Sequence, residues 1–474
     1  MYNVILKFKN LVNNNFELLV SGFIFALFIV FSAKWAFLSG RLGWEDESHF
    51  WIITKNCTIA QIFDLMKVEG HMMLWYLVVK PFTNLPYPYP MQVLNWLFCL
   101  TAMIVMWKKA PFNYFIKILI VFCPIFFQIY SVHARCYSLG CLLLFLACAM
   151  YKERLNRPYF YFFILFLSAN VHIQTLFAAT AIGLVFLYDL INAKKIKEAV
   201  FITIMTTFTG IMLYLQFSNV TVPDYENYVA STVNATNMLA MFWNFIPIEN
   251  DNILLSKIIA ARIFVIIMTF VFVTRPRVFF IYLFIFLSSS VFFCTVYLPR
   301  FWHIAFYFVY FLVCYWLFIE EKPNEKIIKG FEKYVIILLC ILIPLHTYLP
   351  HDNDFLYSVV MKHSELHNAK IFTNIWPITI SIALPKLNEK GIRIYDMNGR
   401  DLSSYEGLLS YYSAEKKKYK PDNLNTYYAK DRDNYLVTLY PIKNNSKYFK
   451  KINRKLYIEG LRNGYRYFVY KIKS

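Results

Sequence analysis

Charged residues are scarce in this chain. Asp, Glu, Lys and Arg supply 16% of its 474 residues, against roughly a quarter in a soluble domain. The deficit excludes an ordinary soluble protein and points to a membrane protein. Cysteine offers no framework either. There are nine, and most fall inside apolar runs (Cys99, Cys123, Cys141, Cys148, Cys294, Cys314, Cys340). No CxxC pair occurs, which leaves a zinc site or a thioredoxin-like site unsupported. The cysteines read as small buried hydrophobes. Internal repeats are absent, and Lys416-Lys417-Lys418 is the only low-complexity hint. Residues 351–474 lack both cysteine and any long apolar run, and are rich in Lys, Asn and Tyr.

What is present is apolar. Hydrophobic residues make up 58% and aromatic residues 20% of the chain. Apolar stretches recur from about residue 16 to about residue 350, each near or above the ~18 residues that cross a bilayer. Two parts follow: a transmembrane domain over 1–350, with a first external loop at 39–90, and a soluble domain over 351–474. The fold expected is a multi-span α-helical membrane protein with a small C-terminal α/β domain. The formal charge of +19 would suggest nucleic acid in a soluble chain. Here much of it sits in short loops, where Lys and Arg set orientation, and the rest suits anionic lipid headgroups. Nucleic acid is therefore not the expected partner.

The spans read as follows. Phe16–Leu38 leaves the cytoplasm as an uncleaved anchor after Lys7 and Lys9. The next loop is acidic, with Glu45, Asp46, Glu47, Asp64 and Glu69 set against Arg41, Lys55, Lys67 and Lys80. Met72–Phe82 is apolar but short, and prolines follow it, so it reads as a surface helix. The remaining crossings are Met91–Trp107, Phe112–Tyr130, His133–Tyr151, Tyr159–Ala169, His172–Leu190, Ala199–Phe217, Ile253–Val273, Val278–Tyr297, Phe301–Ile319 and Tyr334–Leu349. The total is about 11 spans. Every basic loop then falls on one side (Lys108-Lys109, Arg154, Lys194, Lys195, Arg275, Arg277). Counting Met72–Phe82 as a span would break that pattern.

In the C-terminal domain, Lys370–Thr373, Gly391–Tyr395, Tyr435–Tyr440 and Tyr465–Ile472 read as strands. Ile378–Leu387 and Ser403–Ser413 read as helices, and Asn398-Gly399 as a turn.

Four points on the expected external side carry residues suited to chemistry. Glu45-Asp46-Glu47 follows a span end. It is a solvated acidic loop or a general base or metal-facing carboxylate set; if helical, Asp46 and His49 share a face. Gly70-His71-Met72-Met73-Leu74-Trp75-Tyr76 opens the surface helix, as an interface anchor or as part of a site. Ser131-Val132-His133-Ala134-Arg135-Cys136-Tyr137 puts an arginine at a span end. Insertion there costs roughly 2.5–3.5 kcal/mol at the bilayer centre, so such an arginine either snorkels or meets a polar cavity or an anion. Leu298-Pro299-Arg300-Phe301-Trp302-His303 poses the same choice. His172, after Asn170, is a structural histidine or a further site residue.

The order and spacing of these segments resemble the GT-C superfamily of membrane glycosyltransferases. Nearest in pattern are the bacterial aminoarabinose lipid A transferases and the protein O-mannosyltransferases. The family's Asp-Glu pair corresponds to Asp46-Glu47. Its Gly-His-Pro-Pro-Leu-Tyr-Tyr-like stretch corresponds to Gly70 through Tyr76, with Met72-Met73 in place of the prolines. Its Arg-x-Tyr element corresponds to Arg135-Cys136-Tyr137. The resemblance covers mainly residues 16–190.

The resemblance implies an inverting transferase that moves a sugar from a polyprenyl-phosphate donor to a glycan, lipid or protein acceptor. Asp46 and Glu47 would be catalytic, with Asp46 taking the acceptor proton. Arg135, Arg300 and Tyr137 would hold the donor phosphate, and Glu45, His49, His71 and His172 would position substrate. No residue is assigned to a metal, although the family leaves a divalent ion (Mg or Mn) open. The Lys, Asn, Ile and Phe bias suggests a bacterial inner (cytoplasmic) membrane, with an extracytoplasmic active site and C-terminal domain. A polysaccharide polymerase and a lipid-linked glycan transporter or flippase are the alternatives. A transporter would place charges in the middle of several spans, and few are seen there.

Overall fold

A computed structural model describes residues 2–37, 45–69, 72–217, 266–296, 301–342, 364–373, 383–396, 399–412, 433–438, 449–451 and 468–472, with isolated positions besides. Six helices among them are long and apolar enough to cross a membrane: Leu18–Phe37, Tyr89–Lys109, Ile173–Asn192, Ile196–Gln216, Pro276–Thr295 and Trp302–Glu320. Two shorter apolar helices cover Tyr137–Ala149 and Pro158–Ala169. The chain has the character of a helical membrane protein.

The chain divides into two units. One comprises Met1–Ser39, Asn95–Thr206 and Asn227–Leu349; the other comprises Gly40–Leu94, Thr207–Glu226 and Pro350–Ser474. The sequence reading cut the chain once, at residue 350. The structure instead groups the segment after the first helix with the C-terminal segment.

The first unit is a helix bundle. Its elements are α1 (Tyr2–Phe37), most of α5 (Tyr89–Lys109), α6 (Tyr114–Val121), α7 (Tyr137–Ala149), α8 (Pro158–Ala169), α9 (Ile173–Asn192), α10 (Ile196–Phe217) as far as Thr206, α11 (Pro276–Thr295), α12 (Phe301–Glu320) and α13 (Glu325–Leu342). Helix α12 is central, buried along nearly its whole length, whereas few residues of Leu18–Phe37 and Ile196–Gln216 are buried. Lipid gives apolar helices little hydrophobic reason to associate, so packing and interhelical hydrogen bonds must hold them. Phe112 stacks on Tyr315 with ring centroids 4.7 Å apart. The Tyr310 hydroxyl donates to the Gln174 carbonyl at 2.9 Å and also meets the Ser289 hydroxyl at 2.9 Å.

At one end the bundle is tied by ions. Asp189, buried at the close of α9, accepts from Arg154 Nη2 at 2.7 Å on one oxygen. Arg277 Nε lies 3.0 Å from its other oxygen. Tyr151 donates to Glu321 at 2.9 Å, and Lys195 Nζ donates to the Leu155 carbonyl at 2.6 Å. The end of α9, the segments after α7 and α12 and the start of α11 thus lie together, the basic side chains meeting Asp189 and Glu321.

Several expected spans are corrected. Phe112–Tyr130 is not one helix: α6 stops at Val121, and a π-helical turn, Ile125–Tyr130, follows Pro124. Proline has no N–H for the ladder and clashes with the preceding turn. His133–Tyr151 begins only at Tyr137, because His133 through Cys136 form a turn. Tyr334–Leu349 begins earlier, at Glu325, on an amphipathic helix. Most of Ile253–Val273 lies outside the described residues. Long apolar runs hide such breaks, since hydropathy has no term for backbone geometry.

The second unit joins short helices to a sheet. Its helices are α2 (Glu45–Asn56), α3 (Ile59–Glu69), α4 (Leu74–Val79), α14 (Leu384–Glu389) and α15 (Tyr405–Tyr412). Helix α4 is far too short to span, in keeping with the surface-helix reading. The strands are β1 (Lys370–Thr373), β2 (Ile394–Tyr395), β3 (Asn434–Thr438), β4 (Phe449–Lys451) and β5 (Phe468–Ile472), in the order β2-β1-β3-β5-β4. The first three are parallel, and β5 runs antiparallel to both β3 and β4. Strand β2 is shorter than expected and β4 was not foreseen, because Phe449-Lys450-Lys451 alternates too little apolar character to announce itself. Gly399 has φ +77°, the left-handed turn that Asn398-Gly399 signals.

The loop helices are bound to the C-terminal segment by polar contacts. Asn56 Nδ2 donates to the Ser403 carbonyl at 2.8 Å, and the Tyr87 N–H donates to Glu389 at 2.9 Å. Tyr405 donates to Asp64, which also pairs with Lys67 at 2.7 Å. The hydrogen bond from Lys67, then that from Tyr405, holds the Asp64 carboxyl below its usual range. The same contact pushes the Tyr405 phenol up to about 12.

A carboxyl with a lowered folded pKa contributes stability above its unfolded pKa, and the contribution is lost as pH falls through the folded value. Tyr405→Phe should therefore cost about 1 kcal/mol near pH 7, modest because Asp64 is 43% exposed. The gap should shrink towards about pH 2, as the carboxyl protonates first in the unfolded state and then in the folded one. Denaturant unfolding of the full chain in detergent at both pH values checks this; a gap independent of pH contradicts it.

Candidate functional site

In the first unit, at the opposite end of α9 from Asp189, the starts of α7, α9 and α12 meet. A helix of 20 residues separates the two ends, about 30 Å. The π turn Ile125–Tyr130 sets the site up. It closes with the Ser131 N–H on the Phe126 carbonyl at 3.1 Å, and the chain then turns through His133 and Arg135 into α7. The Arg135 N–H donates to the His133 carbonyl at 2.7 Å. The Tyr130 carbonyl accepts from Asn95 Nδ2 at 2.8 Å and from Ser138 Oγ at 2.6 Å, so α5 and α7 both brace the turn.

Around this turn the side chains are aromatic and imidazole. Tyr137 Oη lies 2.9 Å from His303 Nε2, and its ring is 5.1 Å from that of His172. His133 faces the Trp302 ring at 5.1 Å, and His172 meets Phe306 edge-on at 4.7 Å. Gln174 donates to the His303 carbonyl at 2.9 Å. His133, Arg135, Tyr137, His172 and Gln174 are all buried, and His303 is half-buried. His172 precedes α9 in extended backbone, its N–H donating to Thr175 Oγ1 at 3.1 Å.

Helices α7 and α9 approach closely here. A Cβ on Gly140 would lie 2.7 Å from Thr175 Cγ2 and 2.9 Å from His172 Nε2. Glycine is required at that position for His172 to sit against α7.

A buried guanidinium, imidazoles and a phenol are groups able to donate to an anion. Arg135 is only 6% exposed. Phosphate oxygens match the fork geometry of a guanidinium. The imidazole of His133 and the phenol of Tyr137 flank it in sequence.

The second unit holds the acidic set. Glu45, Asp46 and Glu47 open α2, where the helix dipole favours carboxylates. Glu47, Ser48 and His49 are buried and Asp46 is half-buried. Asp46 and His49 are three apart on one helix and share a face. Ser48 Oγ bonds the Tyr87 hydroxyl. At the other end of α2, Lys80 Nζ donates to the Thr54 carbonyl at 2.6 Å and to that of Cys57, satisfying carbonyls that the helix leaves open. Burial lowers the Lys80 pKa, and it pushes the nearby Cys57 thiol up to about 11.

Arg135, Tyr137 and His172 are thus brought together in one unit, and Asp46, Glu47 and His49 in the other. His71 and Arg300 lie outside the described residues, as does the side chain of Glu45. Sequence reasoning did not assign His133, His303 or Gln174 to the site. Their signal was position: His133 and His303 flank the two arginines, and Gln174 lies two residues after His172. Among the described residues, no three of His, Cys, Asp and Glu are placed to hold a metal ion. Compared with models of protein families, curated proteins and solved structures, the chain matches none.

The close approach at Gly140 is open to test. Gly140→Ala should destabilise by about 2 kcal/mol through overpacking. The loss should shrink when Thr175→Ser removes the methyl that the new Cβ meets. Thermal unfolding of both variants and the double variant in detergent measures the coupling; additive losses would contradict it.

Proposed function

We propose that the chain is a membrane glycosyltransferase of the GT-C type. It transfers a sugar from a polyprenyl-phosphate donor to a hydroxyl of a glycan, lipid or protein. The observation that supports this most is Arg135, buried in the turn between His133 and Tyr137, at the bundle end where Tyr137 meets His172 and His303. An anionic lipid phosphate can reach a span end from the bilayer, and its oxygens match the fork of a guanidinium.

In the reaction, the acceptor oxygen attacks the anomeric carbon as the bond from that carbon to the phosphate oxygen breaks. The electron pair leaves with the lipid phosphate, which Arg135, Arg300 and Tyr137 stabilise. Asp46, with Glu47 beside it, takes the acceptor proton. Direct displacement inverts the anomeric configuration through an oxocarbenium-like transition state. Glu45, His49, His71 and His172 position the substrates. A divalent ion has no assigned ligands. The membrane is the bacterial cytoplasmic membrane, with the site on its outer side under the positive-inside rule.

Two measurements test the proposal. Full chain in nanodiscs should bind undecaprenyl phosphate saturably. Arg135→Ala should weaken binding by tenfold or more, the loss of about 1.4 kcal/mol or more of charge-assisted contact. Arg135→Lys should recover part of it, since the charge returns without the fork. Equal binding in all three overturns the phosphate role. Asp46→Asn should leave binding intact and abolish transfer of a radiolabelled sugar from the lipid phosphate; full transfer in that variant removes Asp46 as the base.

A further inference from the structure

At the basic end of the first unit, α8 and α10 begin side by side, and an open groove of about 530 Å³ lies between their first turns. Arg157 and Lys195, the residues immediately before the two helices, line it, with Asn156 and Glu198. Its remaining walls are Pro158, Tyr159 and Phe160. The polar part is net positive. Among the described residues, neither Arg157 nor Lys195 has a carboxylate within salt-bridge distance.

Lys195 is placed by the end of α9. Its N–H donates to the Leu190 carbonyl at 2.9 Å, and the Lys194 N–H donates to that of Ile191 at 3.0 Å. Lys194 takes φ +56°. This is the Schellman termination usually made with glycine. It turns the chain so that Lys195 Nζ donates to the Leu155 carbonyl at 2.6 Å, which uses one of its three N–H groups and leaves two.

The groove opens onto an apolar surface. Tyr159, Phe160 and Phe163 on α8 and Val200, Phe201 and Ile204 on α10 are exposed. Tyr159 and Phe201 meet edge-on at 5.3 Å and join the two helices there. Helix α10 is long and apolar enough to span, and α8 is a shorter apolar helix. A positive pocket at a span end, continuous with exposed aromatic side chains along two apolar helices, has the amphipathic order of a phospholipid.

We propose that this groove binds an anionic phospholipid. The phosphate sits against Arg157 and Lys195, and the acyl chains lie along the exposed faces of α8 and α10. A free phosphate shares the headgroup chemistry but makes no use of the apolar surface. This site lies about 30 Å along α9 from the Arg135 cluster, so it stands whether or not that cluster binds a donor.

The test is native mass spectrometry of the full chain released from phosphatidylcholine nanodiscs containing phosphatidylglycerol. The wild type should retain phosphatidylglycerol in preference to phosphatidylcholine. Arg157→Gln with Lys195→Gln should lower that preference about thirtyfold, the effect of losing two basic contacts to an anionic headgroup. Arg157→Gln alone, at an exposed position, should lower it by a smaller factor and guards against misfolding of the double variant. Lys108→Gln with Lys109→Gln, at the end of α5, should leave it unchanged. Equal retention in wild type and double variant overturns the proposal, as does an equal loss in the Lys108/Lys109 control. Displacement of the lipid by millimolar inorganic phosphate overturns the choice of a phospholipid over free phosphate.

Discussion

The carboxylate of Asp189 is the tie on which the bundle depends. It is buried, and each oxygen meets a different arginine, Arg154 from the segment after α7 and Arg277 from the start of α11. Apolar helices in lipid gain little from meeting one another. A charge that must be neutralised in a fixed geometry supplies what apolar surface does not, namely which helix ends belong together and in what rotation. Removal of one partner from such a group leaves an uncompensated buried charge. With α9 pinned at Asp189, the opposite end of the same helix is free to present His172 and Gln174 to α7 and α12.

That opposite end is built on different terms. Among the described residues its contacts are imidazole rings, phenols and backbone carbonyls, and Arg135 is buried in the turn before α7. Several are neutral and some are ring-to-ring, so the geometry is held by packing against Phe306 and Trp302 as much as by hydrogen bonds. The π turn after Pro124 and the missing side chain at Gly140 are both local departures from regular helix packing. Each serves to bring a polar residue to this end, as irregular turns in helices often do at working sites.

How much of this could be read from the sequence differs by element. The membrane character, the gathering of basic loops at one end and the position of β1 follow from hydropathy, charge and alternation, which depend only on residue type. Helix α2 had only been allowed as a possibility, although three acids at its start are what a helix N-terminus favours. The broken path through Phe112–Tyr130 was not legible, because Pro124 sits within an otherwise uniform apolar run. Arg135, Tyr137 and His172 were marked by rarity at span ends. His303 was missed as a partner for Tyr137 because the two lie 166 positions apart, and no local pattern links them. The grouping of the loop helices with the C-terminal sheet was likewise invisible: it rests on pairs such as Asp64 with Tyr405, which carry no signal until the chain is folded.

The central claim is that Arg135 and its neighbours receive a lipid phosphate. The most direct measurement is a cryo-electron microscopy map of the full chain in nanodiscs with undecaprenyl phosphate. The account predicts phosphate density within about 3 Å of the Arg135 guanidinium, at the end of the bundle where Tyr137 and His172 meet. Phosphate density only at the basic end, against Arg157 and Lys195, would contradict it.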